Sequence, residues 1–221
     1  MKIIKPGKFN FEPTDLKREE YDKENLELIN KNIDILFYGD SITEWWQLEK
    51  MNILEKTVVN RAIAGDRTRY MLYRFDADCI QLFPKQVVFM GGINDLRGWN
   101  LNHDYLLRMT GSHVFNEVVG NITTMANKCE ANNIKFAVGS ILPINEDSDV
   151  DNEKVNEKVE KINNELKAIC HRKKLVYIDY YSEMVEKNSK RIVKEFTIEG
   201  LHPNELGYEK MEKVLKDKIE L

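Results

Sequence analysis

No run of apolar residues in this sequence approaches the roughly 18 that a membrane-spanning helix requires. The first stretch, MKIIKPGKFNFEPTDL, has no continuous apolar segment and does not read as a secretory signal, so a cytoplasmic protein is expected. Cysteine is scarce. Cys79, Cys129 and Cys170 are far apart and odd in number, which argues against a disulfide frame or a zinc site and for small buried apolar groups. His103, His113 and His171 have no partners at ligand spacing, so no metal is expected. Positive charge is not in excess: the net charge is −4 and the lysines are spread along the chain, which excludes bulk attraction to nucleic acid. Neither a GxGxxG nor a GxxxxGK motif occurs, which argues against nucleotide binding. No linker rich in Gly, Ser or Pro divides the chain, and no repeat is visible.

What is present fits one domain. At 221 residues the chain can bury a sizeable core, and 42% hydrophobic with 32% charged residues is ordinary for a globular protein. Five short apolar segments, Ile33–Tyr38, Thr57–Arg61, Gln86–Met90, Ile134–Ser140 and Leu175–Asp179, show little alternation, as strands buried on both faces do. Segments with helical spacing alternate with them: Leu16–Asn30, Arg69–Phe83, Val114–Asn132, Val150–Lys173 and Asn204–Ile219. That alternation predicts an α/β fold, a parallel sheet with helices on both faces, over residues 1–221. Residues 1–30 form an N-terminal extension whose helix packs on the domain. Gly91–His113 reads as a long irregular loop able to wall a pocket.

The strand exits carry the chemistry. The first gives GDSIT with Ser41, the second NRAIAGDRT with Gly65, the third GGIND with Asn94, and a late loop gives IEGLHPN with His202. In a doubly wound sheet all strand exits share one edge, so these segments can meet. Acyl transfer needs such a set: a hydroxyl to attack, a base to take its proton, and donors for the oxyanion. Ser41 and Gly65 can offer backbone N–H groups, and Asn94 a side-chain N–H. Each has a plainer reading beside this one. Ser41 can be a cap, Gly65 a turn glycine, Asn94 a helix cap, and His202 a helix-flanking residue before Asn204. Asp40, beside the serine, fixes its turn or borders the pocket. Of Trp45 and Trp46, one packs in the core and the other lines the acyl pocket. Trp99 is a further pocket candidate.

With these four blocks in this order, the sequence resembles the SGNH hydrolases, also called GDSL esterases and lipases. Their hallmark Ser, Gly, Asn and His match Ser41, Gly65, Asn94 and His202 from about Ile33 to the C-terminus. The resemblance implies a three-layer α/β/α sandwich with a five-stranded parallel sheet. It also implies hydrolysis of acyl esters, often acetyl or short-chain, without a cofactor. The family usually has Asp three residues before its histidine; here that position is Glu199. Glutamate can orient a histidine, so Ser41, His202 and Glu199 are the expected triad. A surface glutamate beside a Ser–His dyad is the alternative. An acetylated sugar, a lysophospholipid or a small ester fits as substrate, and the oligomeric state, homo-oligomer included, stays open. A flavodoxin-like binding protein without catalysis, or a catalytically impaired relative, is the competing reading.

Overall fold

Five segments, reading ILFYG, VVN, QVVFM, KFAVG and VYI, form the sheet: β1 (Ile35–Gly39), β2 (Val58–Asn60), β3 (Gln86–Met90), β4 (Lys135–Gly139) and β5 (Val176–Ile178). The computed structural model describes residues 12–51, 56–100 and 111–220. All strand pairs are parallel in the order β2-β1-β3-β4-β5, with Phe37 beside Asn60 and Val88, and Val88 beside Ala137. β1 is buried at every residue, which is why its sequence shows no alternation.

Eight helices flank the sheet among the described residues: α1 (Glu12–Leu28), α2 (Ser41–Glu44), α3 (Thr68–Asp78), α4 (Ile93–Asn100), α5 (Gly111–Ala131), α6 (Asn152–Lys173), α7 (Tyr180–Met184) and α8 (Glu205–Lys216). The strand order reverses direction after β2. Right-handed crossovers then put α3, α5 and α6 on one face and α2 on the other; α7 and α8 lie on the side of α2, where Tyr180 and Tyr208 pack on Trp46 and the Tyr208 hydroxyl donates to the Ile42 carbonyl. The contacts of α3 with α5, of α5 with α6 and of α7 with α8 agree. Several helices start on a short polar cap: Asp40, Asp151, Asp179 and Asn204 each accept a bond from a backbone N–H of the first turn. No helix among the described residues is long and apolar enough to cross a membrane.

Two expectations need correction. The stretch Gly91–His113 is not an irregular loop throughout: α4 occupies Ile93–Asn100 and α5 begins at Gly111, while residues 101–110, His103 among them, lie outside the described residues. Ile93 and Leu96, 2% and 0% exposed, give α4 a core-facing stripe too short to register as a period. The helix expected over Arg69–Phe83 ends at Asp78, and a 3₁₀ turn follows that closes on Phe83 at φ 49°. The remaining boundaries agree with the sequence reading to within a few residues.

Candidate active site

β1 must end on glycine. A Cβ at Gly39 would lie 2.1 Å from the Met90 carbonyl oxygen on β3 and 2.6 Å from Thr43 Oγ1. The chain therefore turns at once into α2, with Asp40 as its cap: Asp40 Oδ1 accepts from the Ile42 amide at 3.1 Å. Asp40 is 1% exposed, and its Oδ2 has no partner among the described residues. Burial pushes its carboxyl up to about 7, against the pull of the Ile42 amide bond and with help from Asp95 and Asp66. The magnitudes explain the direction. A cap is worth about 1 kcal/mol, while the effective cost of burying an isolated carboxylate is several kcal/mol.

Ser41 follows at the first position of α2, where amides lack an intrahelical acceptor. Its Oγ lies 2.9 Å from His202 Nε2. On the other side of the ring, His202 Nδ1 is bonded to Glu199 Oε1. Gly200 makes this fold-back feasible. It sits at φ 89°, and a Cβ there would lie 2.1 Å from the Asn145 carbonyl oxygen. Thr197 closes the turn: its Oγ1 accepts from the Gly200 amide and donates to the His202 carbonyl, each at 2.9 Å. The Ile198 amide also donates to that carbonyl, at 2.9 Å.

The exits of β2 and β3 come to the same edge. The Ile63 amide donates to the Gly39 carbonyl at 3.0 Å, and the Ala64 amide to Glu44 Oε2 at 2.5 Å, so the segment carrying Gly65 is bonded to the Ser41 turn. Gly65 adopts φ 80°. Asn94, on α4, donates one Nδ2 hydrogen to the Asp66 carbonyl at 3.1 Å. That bond fixes the amide and leaves its second hydrogen without a partner among the described residues. Asp95 beside it caps α3, accepting from the Thr68 amide at 2.9 Å and from Thr68 Oγ1 at 2.8 Å. Burial again raises its carboxyl, to about 6.

The two tryptophans differ in exposure. Trp46 is 6% exposed and packs on Phe37, Tyr180 and Tyr208. Trp45 is half exposed, its ring centroid 4.3 Å from that of His202. Trp45 and Trp46 both line a cavity of about 480 Å³ together with Ile198, Pro203, Tyr208 and Glu209; Ser41 and Asp40 are not among its walls. Asp40 is thus a buried cap rather than a wall of this cavity. The side chain of Trp99, a residue of α4, lies outside the described residues. Among the described residues no group of three or more His, Cys, Asp or Glu side chains is placed to hold a metal. Sequence reasoning missed Thr197 and the Trp45–His202 contact. A threonine two residues before the glutamate was the available signal for the first.

The model of the GDSL-like Lipase/Acylhydrolase family matches residues 37–210, a span that takes in Ser41, Gly65, Asn94, Glu199 and His202. The chain belongs to this family. As a GDSL-like acylhydrolase it is a hydrolase of carboxylic esters, with a small-molecule ester as substrate. A comparison with curated proteins gives no match. Among solved structures, the chain is similar to a protein from Bacteroides fragilis assigned as an acylhydrolase (29% identity, 92% of this chain and 95% of that one, TM-score 0.76). It is also similar to a GDSL-like lipase from Bacteroides thetaiotaomicron (28% identity, 90% and 95%, TM-score 0.76). An acetylxylan esterase from Geobacillus stearothermophilus shares the fold at 18% identity (87% and 96%, TM-score 0.67).

Proposed function

We propose that this GDSL-like acylhydrolase is a serine esterase of acetyl or other short-chain esters, working through a Ser41–His202–Glu199 triad. The observation that carries the reading is the unbroken line from Ser41 Oγ to His202 Nε2 at 2.9 Å and from His202 Nδ1 to Glu199 Oε1. His202 Nε2 takes the proton as Ser41 Oγ attacks the ester carbonyl carbon. Glu199 fixes the tautomer that leaves Nε2 free to accept and balances the imidazolium that forms. The amides of Ser41 and Gly65 and the free Nδ2 hydrogen of Asn94 stabilise the oxyanion. Collapse of the tetrahedral intermediate expels the alcohol, which takes its proton from Nε2. His202 then deprotonates a water that attacks the acyl-serine, and a second collapse releases the acid and restores Ser41.

Glutamate can serve in place of aspartate: with Gly200 at φ 89° the chain turns back and Glu199 Oε1 reaches His202 Nδ1. The acetylxylan esterase of the same fold has been solved as catalytic mutants with alanine in place of a serine or an aspartate. That parallel supports a serine–carboxylate pair here and an acetylated sugar among the first substrates to try.

A fluorophosphonate probe and a series of 4-nitrophenyl esters test the reading together. The parent should be labelled at Ser41 and turn over acetate faster than long acyl chains. Ser41→Ala should lose labelling and lose activity by several orders of magnitude, about 10⁶ where a triad serine has been removed elsewhere. A parent that neither labels nor hydrolyses, or a Ser41→Ala protein that keeps more than a few per cent of activity, would overturn it.

A further inference from the structure

Arg74 on α3 has no exposed side-chain surface, yet its guanidinium touches two of the strand exits that meet at the site. Nη2 donates to the Gly39 carbonyl at 3.3 Å, two residues before Ser41. Nη1 donates to the Arg61 carbonyl at 2.6 Å, at the start of the segment that carries Gly65. Nε donates to Asp66 Oδ2 at 2.7 Å, immediately after Gly65. The backbone carbonyl of that same Asp66 is the acceptor for Asn94 Nδ2. One side chain therefore sets the positions of the Ser41 turn and both ends of the Gly65 segment, and through Asp66 that of Asn94. The fork also reaches Asp78 Oδ2 at 3.1 Å and lies 4.3 Å from the centre of the Tyr38 ring.

A second layer braces the segment from outside. On α1, which precedes the part of the chain matched by the family model, the Tyr21 hydroxyl donates to the Ala62 carbonyl at 2.7 Å, and Asn25 Oδ1 accepts from Arg61 Nε at 2.8 Å. Arg18 is bonded to Asp78, which completes a buried alternation of charges from α1 to the site. Apolar residues of equal volume would often stabilise a fold as well as such a network does. What an ion-pair network adds is a directional register.

We propose that Arg74 and Asp66 are positioning residues that hold the three oxyanion donors, Ser41, Gly65 and Asn94, at their mutual spacing, with Tyr21 as an outer brace. Neither Arg74 nor Asp66 touches the ester. The proposal rests on the serine-esterase reading above.

The test uses the full chain with Arg74→Lys, which keeps the charge and loses the fork, and Asp66→Asn, which keeps the shape and loses the charge. Each is assayed on 4-nitrophenyl acetate well below its own melting point and again combined with Asn94→Ala. Loss of register should lower kcat by about 10- to 10²-fold with KM nearly constant, the scale expected for a small misplacement. The double variants should lose at least about tenfold less than the product of the single losses, because part of the effect runs through Asn94. A purely structural role would lower Tm and leave kcat per folded molecule unchanged, or give fully multiplicative losses; either overturns the proposal. If Arg74→Lys fails to fold, Asp66→Asn and Tyr21→Phe decide by the same criteria. A parent that fluorophosphonate does not label defeats the underlying reading; a labelled parent whose variants keep kcat defeats only this one.

Discussion

The indole of Trp45 lies against the imidazole of His202, ring centroids 4.3 Å apart and planes tilted by 40°. Trp45 is four residues beyond Ser41, past the single turn of α2, so the helix that opens on the serine also delivers an aromatic face to the histidine. Trp45 is half exposed and borders the cavity that Ile198 and Pro203 also line. In the proposed mechanism the His202 ring becomes a cation when it takes the Ser41 proton, and an aromatic face attracts a cation.

Trp45→Ala is accordingly expected to lower kcat/KM by roughly 2- to 30-fold, the equivalent of about 0.5–2 kcal/mol for a cation–π contact. Trp45→Phe should recover most of the loss. Steady-state kinetics on a short-chain ester measure both, and equal activity of parent and alanine variant would reduce Trp45 to a bystander.

Glu199→Gln keeps the shape and removes the carboxylate at His202 Nδ1. A fall of about 10²–10⁴ in kcat is expected, the upper end matching the loss when a triad aspartate becomes asparagine. Glu199→Asp should remain active, since the shorter acid retains the charge and aspartate is the usual residue at this position in the family. An unchanged rate in the glutamine variant would make the site a Ser41–His202 dyad.

For Asn94→Ala the loss should fall on kcat, by about 10²–10³, with little change in KM, because in the proposed mechanism its second Nδ2 hydrogen is needed when charge develops. A change confined to KM would mean that Asn94 binds the ground state or only holds the Asp66 carbonyl, to which it donates at 3.1 Å.

Asp40 gives a pH prediction. Burial lifts its carboxyl from the ordinary 3.8 to about 7 in the folded chain. A carboxyl raised in this way favours folding fully below its unfolded pKa, and that contribution is lost as pH rises through the folded value. Between pH 5 and pH 8 the buried charge therefore becomes progressively destabilising. Asp40→Asn keeps the Oδ1 acceptor for the Ile42 amide and removes the titration. Its Tm advantage over the parent should grow across this range by several degrees, at about 2–4 °C per kcal/mol for a chain of this size. Parallel melting curves that keep a constant gap from pH 5 to pH 8 would contradict it.

The sequence by itself determined the architecture and the positions where chemistry was to be sought. Segments such as ILFYG and QVVFM are apolar on both faces, which only a sheet covered on both sides accommodates. GDSIT, AIAGD and GGIND each follow such a strand, and parallel strands bring their exits to one edge. Short polar caps such as Asp40 and Asn204 were legible too, because a cap acts on amides two or three residues away.

Tertiary structure decided the pairings between side chains remote in sequence. Trp45 meets His202, Arg74 meets Gly39 and Asp66, and Tyr21 meets Ala62 because strand order and helix packing juxtapose them. Periodicity reports which face of an element is buried, but not what lies against it. It could not show that Arg74, charged and in the middle of an amphipathic helix, is buried at a junction of two strand exits. It also missed α4, an eight-residue helix whose apolar stripe, Ile93 and Leu96, is too brief to raise a period. The fold-back of Glu199 onto His202 needed three things at once: Gly200 at positive φ, Thr197 bridging the turn, and the Asn145 backbone packed against it. The first two are local in sequence, but the third comes from a segment more than fifty residues away, which only the folded chain brings into contact.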